Sequence, residues 1–559
     1  MNASPPESSA LAPVGPQAGW RFQGGWAYLL YVALVAAQCA LAVDARALWF
    51  SDEARYGAAL VEMIGSGDWL TLTLNGLPYP DKPPVYFWLL AGIARLGGGM
   101  GSWVFFIGAA LSGFAYVCAG HFLVRRVVPA RPELALATGL LLLGTPYVAT
   151  LFHYSRMDPL FAAAIVAAMA CLHSGLRRPS FSGWIVAGFA LATLASFIKG
   201  PLGHGLPLLA LLVDAATTRR LRRILAADMA VGVLLSLAVA VAWFAAVVAT
   251  KGWDFVDRVL DDQILQRAVS AWHHKHPVWF YLPLMIGMWL PWTALPALRP
   301  VRAALAAGAR AAWRRALDAP PTVYFGIVWA AGFVFLSLLS GKIHIYLLPT
   351  LAPLAAATAA ALIGMAPAAR AFAWRSAAVV YAVAGVAALV EGIAGFAPFP
   401  IGGLVPLGIV MLAGATALAW FDGSVSAFRP LWINLGLVTI VMNILGLLIA
   451  PSLDAVLSPR EQARLMRDYA DRGYAVVAFA TYDGVYTYDY GGIVDEIDDP
   501  AELAQRMAAN DRLVVVMRES SYRNLGDQVA GLAIVQQQRI AENVYLMLVQ
   551  DRATPAPAR

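Results

Sequence analysis

Long apolar segments alternate with short polar loops along most of the chain, and these segments lack the period of two that barrel strands require. A helix needs about 20 apolar residues to cross a bilayer, and in lipid only helices or closed barrels satisfy every backbone polar group. The pattern therefore predicts a polytopic α-helical membrane protein. The thirteen predicted spans are 26–43, 101–124, 133–150, 157–176, 181–198, 201–214, 226–249, 277–297, 322–340, 346–364, 374–395, 403–421 and 430–450.

A fourteenth apolar segment, 83–97, is only 15 residues long, so charge has to decide its path. Cytoplasmic loops of membrane proteins carry an excess of lysine and arginine. The arginine-rich loops of this chain lie within 125–131, 177–178, 219–223, 299–315 and 370–375. All of them fall on one side only if 83–97 does not cross fully, either as a re-entrant piece or as the first part of a broken helix. The N-terminus is then cytoplasmic, and the tail lies outside.

Composition changes at both ends of the apolar region. Residues 1–22 are rich in proline, serine and alanine, which predicts a disordered cytoplasmic N-terminus. Residues 23–451 form the predicted transmembrane domain, with 44–82 as its first outer loop. After residue 452 charged residues become common, with β-rich runs at 474–480, 512–518 and 543–549 and amphipathic helical patterns at 459–472 and 500–510. Residues 452–559 are therefore predicted to be a soluble α/β domain in the periplasm.

The composition supports a membrane protein and argues against a nucleic-acid-binding protein, a disulfide-bonded protein or a zinc-finger protein. The chain is 60% hydrophobic and 13% charged, whereas soluble domains are about half apolar and about one quarter charged. The net charge of +6 comes mainly from arginines in the predicted cytoplasmic loops, so nucleic acid is not a predicted partner. The three cysteines lie in apolar segments without a CxxC pair, which argues against disulfides and zinc fingers.

The predicted outer loops hold a mixture of acids, bases and histidines. The first is SDEARY, which predicts a helix over 52–66. On such a helix Asp52, Arg55 and Tyr56 share one face. The alternative is an ordinary N-capped interfacial helix with acids at its positive N-terminal end, and this alternative explains Glu53 well.

The second outer motif is PYPDKPP. Its prolines, Pro80, Pro83 and Pro84, bracket Asp81 and Lys82. Each proline restricts its own φ and biases the preceding residue toward extended conformations. A lysine held in this way at the membrane surface is a good phosphate contact. The alternative is a snorkelling interfacial lysine beside an aromatic belt.

Further outer loops bring more charge to the same interface. Asp158 follows Arg156 at the start of a predicted helix, where a simple N-cap is the alternative. Arg267 lies in the loop 251–276, on a predicted helix, and is a candidate anion contact. Lys199 precedes Gly200 and Pro201 at another outer helix junction.

The last outer motif is SGKIHIYLLP. It places Lys342, His344 and Tyr346 at alternate positions. On an extended stretch these three side chains would face one way. A solvated or snorkelling charge is the alternative for each of these outer cations taken singly.

SDEARY followed by LNGLPYPDKPPVYFW resembles the C-type membrane glycosyltransferases that use polyprenyl-phosphate sugars. The resemblance is to the bacterial lipid A aminoarabinose transferases and the protein O-mannosyltransferase family. Their D-E-x-R-Y/F and L-N-G-x-x-Y-x-[ED]-K-P-P stretches both match over about 47–95. GKIHIYLLP and LQRAV resemble the K-x-x-x-Y-x-L-P and Q-R-F elements of these families.

The resemblance implies transfer of a sugar from an undecaprenyl (polyprenyl) phosphate carrier, with inversion at the anomeric carbon. Cations must stand where the phosphate charge develops. The lipid-phosphate ligands implied are Lys82, Arg267, Tyr346, Arg55 and Lys342. Asp52 is the implied catalytic base for a hydroxyl acceptor, and Asp158 the second catalytic carboxylate, which orients the acceptor or the sugar.

Two positions depart from the pattern. Aminoarabinose transferases usually carry Glu where this chain has Asp81, and often His where it has Gln263. These positions look like metal ligands in that subfamily. Asp81 and Gln263 are therefore predicted metal or substrate contacts, and the need for a divalent metal stays open.

The sequence leaves the substrates open. The sugar could be aminoarabinose, mannose, galactosamine or another, and the acceptor could be lipid A, another surface glycan or a protein. The bacterial inner membrane is the predicted location. A transporter or flippase is the alternative from another class, but it would place ionisable residues near the bilayer midplane, whereas here nearly all lie at the interfaces. A non-catalytic anchor for the tail would need far fewer spans.

Overall fold

The computed structural model describes residues 25–253, 256, 276–293, 321–421 and 426–552. The predicted site residues Gln263 and Arg267 lie outside the described residues, as do the predicted disordered N-terminus and the end of the predicted span 277–297.

Helices make up most of the described chain. They are α1 Trp26–Cys39, α2 Asp52–Ser66, α3 Val85–Leu96, α4 Ser102–Val127, α5 Pro132–Leu143, α6 Pro146–Thr150, α7 Asp158–Leu176, α8 Gly183–Lys199, α9 Leu202–Thr217, α10 Ala227–Lys251, α11 Tyr281–Met288, α12 Pro321–Leu338, α13 Leu348–Gly364, α14 Pro367–Ala394, α15 Leu404–Ala419 and α16 Phe428–Ile444. A π-helical turn, Leu445–Ile449, and a short helix, Ala450–Ser452, extend α16.

Six of the helical segments in the described residues are long and apolar enough to cross a membrane. They begin at Ser102, Asp158, Ala227, His344, Pro367 and Phe428. Other apolar helices are shorter, at 10 to 17 residues. The polytopic helical architecture is therefore present, and the count of thirteen spans stays a prediction.

The helix α7 lies at the centre of the bundle. Within its apolar window 89% of the residues are buried, against 11% in α10, whose side chains face outward. It packs against α4, α8, α9 and α13. The first residue of α7, Asp158, is consequently held at one end of the most buried helix.

Two local predictions were wrong. The predicted span 133–150 is two helices, because Pro146 cannot continue α5 and biases Thr145 toward an extended conformation (φ −95°, ψ 112°). The stretch around His344 is a 3₁₀ turn, His344–Leu347, that leads directly into α13. Lys342, His344 and Tyr346 therefore do not share one face of an extended strand.

The segment between α2 and α3 is a tight hairpin of β1 Thr73–Leu74 and β2 Leu77–Pro78. Asn75 and Gly76 have φ of 53° and 79°, as a two-residue hairpin loop of type I′ requires. The carboxylate of Glu62 accepts hydrogen bonds from both turn amides, at 2.5 and 3.0 Å. The hairpin is thus tied to α2, and it delivers the PYPDKPP motif to the end of the bundle.

The tail contains a mixed sheet of β3 Ala475–Phe479, β4 Asp495–Ile497, β5 Arg512–Arg518, β6 Ala533–Ile540 and β7 Asn543–Asp551, in the order β4-β3-β5-β7-β6. The strand β3 is parallel to β4 and β5, and β7 is antiparallel to β5 and β6. Its helices are α17 Arg460–Asp471, α18 Thr487–Tyr490, α19 Pro500–Ala509 and α20 Glu519–Leu525. Its independence as a periplasmic domain stays a prediction.

The tail packs directly on α2. Ala54 is fully buried in a cluster with Ala463 and Met466 of α17. A Cβ added to Gly57 would lie 2.7 Å from Cγ of Tyr488. The helix α2 is therefore enclosed between the bundle and the sheet.

Candidate active site

A chain of ion pairs joins three outer elements at the end of α7. Arg156 Nη1 lies 2.6 Å from Asp52 Oδ2, and its Nε lies 3.0 Å from Asp158 Oδ2. The ammonium of Lys199, at the end of α8, binds the other oxygen of Asp158. Asp158 is 2% exposed, whereas the side chain of Asp52 is 22% exposed. Asp52 is thus the more accessible of the two predicted catalytic carboxylates.

Arg156 is the link between these carboxylates. Burial lowers its pKa, but Asp158 and Asp52 outweigh that effect and raise it. The guanidinium therefore stays charged and positions both carboxylates.

Glu53, the next residue of α2, points in a different direction from Asp52 and is fully buried. Its oxygens accept hydrogen bonds from Arg46 Nη1 and Nη2, at 2.6 and 2.8 Å, and from the amides of Trp49 and Ser155. The interfacial-helix explanation of Glu53 was therefore wrong, because the carboxylate faces the protein interior. It ties α2 to the loop that carries Arg156.

Lys82 lies next to this network. Burial lowers the pKa of Lys82, against the charges of Asp52, Asp81 and Asp158, which raise it. It makes no ion pair or hydrogen bond with any residue that the structure describes. It is also close enough to Lys199 for their charges to interact. Within the described residues, Lys82 therefore presents a cation without a direct carboxylate contact.

The two predicted ligands from SGKIHIYLLP differ in their surroundings. Lys199 Nζ lies 5.0 Å from the centroid of the Tyr346 ring, which places Tyr346 beside the Asp158 cluster. Lys342 is 2% exposed, and its ammonium donates to the carbonyl oxygens of His276 and Leu339. The structure brings Tyr346 to the site, whereas the Lys342 ammonium is bound by backbone carbonyl oxygens.

Arg55 stands at the outer edge of the same region, between two aromatic rings. Its Cζ lies 4.9 Å from the centroid of Tyr79 and 4.9 Å from that of Tyr482. Burial raises the pKa of Tyr79, and the charges of Asp81 and Asp52 raise it further, so this edge is continuous with the carboxylate cluster.

A metal site can be judged only in part. Within the described ranges no three His, Cys, Asp or Glu residues group together as metal ligands. Asp81 offers one carboxylate beside Lys82, and its predicted companion Gln263 lies outside those ranges. The metal prediction therefore stays a prediction.

Some residues of the site were missed or underrated from sequence. Arg46 carried no motif signal, although its pairing with Glu53 orders the start of α2. Tyr79 lies within the family pattern LNGLPYPDKPP, which gives its side chain no role of its own. Lys199 precedes Gly200 and Pro201 at a helix end, and this helix-end position is the signal that could have given it a role.

The arrangement sets an accessible carboxylate, Asp52, near a lysine, Lys82, that makes no ion pair with the described residues. Such a pair can activate a hydroxyl and bind an oxyanion in one place. The carboxylates and cations meet at the ends of helices rather than in mid-bundle. Fold and site together agree with the resemblance to the C-type membrane glycosyltransferases that act on lipid-phosphate sugars.

Comparison with known proteins confirms this resemblance. Residues 81–244 match the family model described as dolichyl-phosphate-mannose-protein mannosyltransferase. The chain is 32% identical over 315 residues to an undecaprenyl phosphate-alpha-4-amino-4-deoxy-L-arabinose arabinosyl transferase of Pseudomonas aeruginosa, covering 55% of this chain and 54% of that one. It is 31% identical over 356 residues to the protein of the same name from Serratia proteamaculans, covering 60% and 59%. The chain thus spans little more than half the length of the curated relatives it matches.

The fold is shared with solved structures. ArnT from Cupriavidus metallidurans in the apo state superposes with a TM-score of 0.74 at 22% identity, covering 95% of this chain and 99% of that one. The same protein bound to undecaprenyl phosphate gives 0.73 at 23% identity, with the same coverage. The chain is therefore similar to aminoarabinose transferases in sequence and shares the ArnT fold.

Proposed function

We propose that the protein is an inverting glycosyltransferase of the inner membrane. It moves a sugar, 4-amino-4-deoxy-L-arabinose in the first instance, from undecaprenyl phosphate to lipid A or another surface glycan. The observation that carries this is the position of Asp52 and Lys82 around Arg156 and Asp158 at one end of the bundle. The sugar and the carrier in this proposal are those for which the similar arabinosyl transferases are named.

Lys82 binds the carrier phosphate in this proposal, with Tyr346 and Arg267 as further contacts. The bond between the sugar C1 and the phosphate oxygen breaks, and the phosphate leaves with the electron pair. The cations stabilise that charge as it develops. The apolar helix α3 begins three residues after Lys82, so it offers a surface for the lipid tail.

Asp52 takes the proton when the acceptor is a hydroxyl, and an acceptor phosphate needs no base. Arg156 holds Asp52 in place from one side and Asp158 from the other. Asp158 orients the acceptor or the sugar through this pairing. Attack from the face opposite the departing phosphate inverts the anomeric carbon.

The membrane orientation is part of the proposal. The N-terminus is cytoplasmic, and the site and residues 452–559 face the periplasm, because the arginine-rich loops then all lie inside. A protein acceptor is the second candidate, favoured by the match of residues 81–244 to a protein mannosyltransferase family.

Mass spectrometry of lipid A, surface glycans and exported proteins, with and without the protein, tests the function. We expect lipid A or another surface glycan to gain the mass of the sugar. A mass gain confined to exported proteins would favour the second candidate. No change in any of the three would contradict transfer and favour a transporter or flippase.

Site variants in a membrane assay with an undecaprenyl-phosphate sugar test the assignment. We expect Asp52→Asn to lower turnover by about 10²- to 10⁴-fold for a hydroxyl acceptor, because the base is lost. Lys82→Ala should lower it by about 10²- to 10³-fold, because a charge that stabilises the leaving phosphate is lost. The control Asp471→Asn alters an exposed ion pair with Arg467 on the tail and should retain wild-type turnover. Wild-type rates in both site variants would sink the assignment and leave the fold intact.

A further inference from the structure

Two loops lie at the end of the bundle opposite the candidate active site. They are 177–182, between α7 and α8, and 218–226, between α9 and α10. The helix α7 is 19 residues long and carries Asp158 as its first residue. Its last residue therefore lies about 27 Å from Asp158, at a rise of about 1.5 Å per residue. This end of the molecule is separate from the carboxylates and cations of the site.

Hydrogen bonds join the two loops into one surface. Nε and Nη2 of Arg223 donate to the carbonyl oxygens of Arg178 and Ser180, both at 3.0 Å. Nη1 of the same guanidinium donates to Asp228 at 2.6 Å, and the other oxygen of Asp228 accepts from the Ser182 amide at 2.9 Å. Asp228 is fully buried. Its charge is therefore paired with Arg223 inside the protein and does not reach the surface of the loops.

Three arginines of these loops point outward. Arg178, Arg219 and Arg222 are exposed, and they form no ion pair with the residues that the structure describes. A second acid of this region, Asp214, is 1% exposed and lies 2.8 Å from Nδ1 of His173. The surface of the two loops thus carries three positive charges that are not balanced by these two buried acids.

Arg219 has a backbone conformation that favours glycine. Its φ is 56°, and it follows the C-terminal end of α9. The next amide, that of Arg220, bonds back to the Ala215 carbonyl at 2.7 Å. Helices commonly end on one left-handed residue, which is usually glycine because a side chain is strained there. The local backbone therefore does not explain an arginine at this position, whereas a use for its charge does.

Apolar side chains stand among these charges. Ile224 packs against a buried cluster formed by α7, α8, α9 and α10. In contrast, Leu221 is 55% exposed, Leu225 is 88% exposed, and Phe181 of the other loop is 61% exposed. Cations beside exposed apolar side chains fit the boundary between lipid headgroups and acyl chains. A free anion would leave these apolar side chains uncovered.

We propose that the two loops bind an anionic phospholipid of the adjoining leaflet, which is the cytoplasmic leaflet in the orientation proposed above. Arg178, Arg219 and Arg222 bind the headgroup phosphate, since a guanidinium forms strong charge-assisted hydrogen bonds with phosphate oxygens. Leu221 and Leu225 enter the acyl region. This surface is remote from the transfer chemistry, so the inference does not depend on the sugar or on its acceptor.

Lipid titration of the purified full-length protein in detergent tests the surface. Native mass spectrometry gives the Kd for dioleoyl-phosphatidylglycerol, which is anionic, and for dioleoyl-phosphatidylethanolamine, which is zwitterionic. We expect wild type to prefer phosphatidylglycerol. Arg219→Gly should weaken its binding about fivefold, because one cation near an anionic headgroup is lost. Since glycine suits the left-handed backbone, this variant should fold at least as stably as wild type.

Three control variants should keep the wild-type preference. Ala541→Gly relieves a similar backbone conformation in the tail, with φ of 53°, and removes no charge. Arg523→Gln removes an exposed arginine from α20. Lys82→Ala removes the cation proposed for the carrier phosphate. An unchanged preference in Lys82→Ala would place the phosphatidylglycerol away from the active site, even if no sugar is transferred.

A further pair of variants tests each half of the surface. Leu225→Ser should weaken the binding of both lipids by a similar factor, because insertion into the acyl region does not depend on the headgroup. Arg222→Gln should repeat the fivefold loss for phosphatidylglycerol, and it serves as the charge variant if Arg219→Gly folds poorly.

Four outcomes would overturn the lipid surface. The first is equal affinity of wild type for the two lipids. The second is wild-type binding of phosphatidylglycerol in both arginine variants, Arg219→Gly and Arg222→Gln. The third is loss of the preference in Lys82→Ala, which would place the lipid in the active site. The fourth is unchanged affinity in Leu225→Ser together with displacement of the lipid by inorganic phosphate at equal concentration, which would indicate a site for free anions.

Discussion

The cations around α2 differ in what surrounds them, and that difference assigns their roles. Carboxylates hold Arg46 and Arg156, aromatic rings hold Arg55, and Lys82 makes neither kind of contact with the residues that the structure describes. An arginine paired with carboxylates serves to position them. A cation without a carboxylate contact has charge available for a phosphate.

The pair of Arg46 and Glu53 is structural, which leads to a prediction about stability. Glu53→Gln leaves the Arg46 charge buried without its partner, and breaking a buried pair costs about 3–5 kcal/mol. We expect a clearly lower unfolding temperature in detergent. The control Glu133→Gln breaks an exposed pair with Arg131 and should cost about 0–1 kcal/mol. Equal losses in the two variants would contradict the anchoring role.

At the scale of elements, α2 is the part on which the site depends. One side carries Asp52 and Arg55, another buries Glu53 in the bundle, and the tail packs along the segment that includes Gly57. An α-helix completes one turn every 3.6 residues, so consecutive side chains point in different directions and contact different partners. A change at any of these contacts should move the site.

Gly57→Ala tests the close approach between α2 and the tail. The added Cβ would lie 2.7 Å from the Tyr488 ring and 2.9 Å from Leu48, and overpacking of this kind costs about 1–3 kcal/mol. We expect faster proteolysis of the tail and lower transfer activity. Gly65→Ala is the matched control on the same helix, since a Cβ there meets nothing within 4 Å. It should leave both readouts unchanged or slightly improved, because alanine favours helix.

If Gly57→Ala and Gly65→Ala behave alike, the packing of the tail on α2 would not influence the site. A loss of transfer activity that is confined to Gly57→Ala and is relieved by the second substitution Tyr488→Ala would support an influence of tail packing on the site. The double variant matters because it removes the contact without restoring the glycine.

At the scale of the whole molecule, the hairpin couples the bundle to the sheet. The Asn75 side chain donates to the Val494 carbonyl at 2.6 Å and accepts from its amide at 2.8 Å. It also accepts from the Thr487 hydroxyl at 3.1 Å. The turn that presents PYPDKPP is therefore also the turn that docks the tail.

Glu496 makes this junction sensitive to pH. Burial and the charge of Asp483 raise its pKa to about 7, against the hydrogen bond from Gly484 and the charge of Arg55. The folded state thus keeps a proton that the unfolded chain loses near pH 4.5. Stability should therefore fall as pH rises from about 4.5 to about 7, and this contribution should be constant outside that window.

The measurement is the unfolding temperature of wild type and Glu496→Gln across that range. The difference between the two proteins should depend on pH within the window, because glutamine does not titrate. Glu502→Gln, an acid on α19 paired with Arg506, is the control and should keep the wild-type slope. Parallel curves for wild type and Glu496→Gln would refute the prediction.

Some residues of the site were indicated by the sequence, and others were not. For Asp52, Lys82 and Tyr346, the family resemblance pointed to residues that the fold brings to one neighbourhood. The prediction for Lys342 stays a prediction, and its ammonium donates to the backbone carbonyls of His276 and Leu339, contacts that the sequence did not indicate. Arg46 carries no motif signal, and the interfacial-helix explanation gave Glu53 no buried partner.

The sequence by itself determined what local physics controls. Apolar run length predicted the helices, the Asn75-Gly76 pair suits the tight hairpin, and β-rich runs marked strands β3, β5 and β7. Tertiary structure alone decided which charges meet. Arg156 joins Asp52 to Asp158, and the tail brings Tyr482 to Arg55 from more than 400 positions away. Charge pairing depends on distance in space, and hydropathy and spacing along the chain carry no information about that distance.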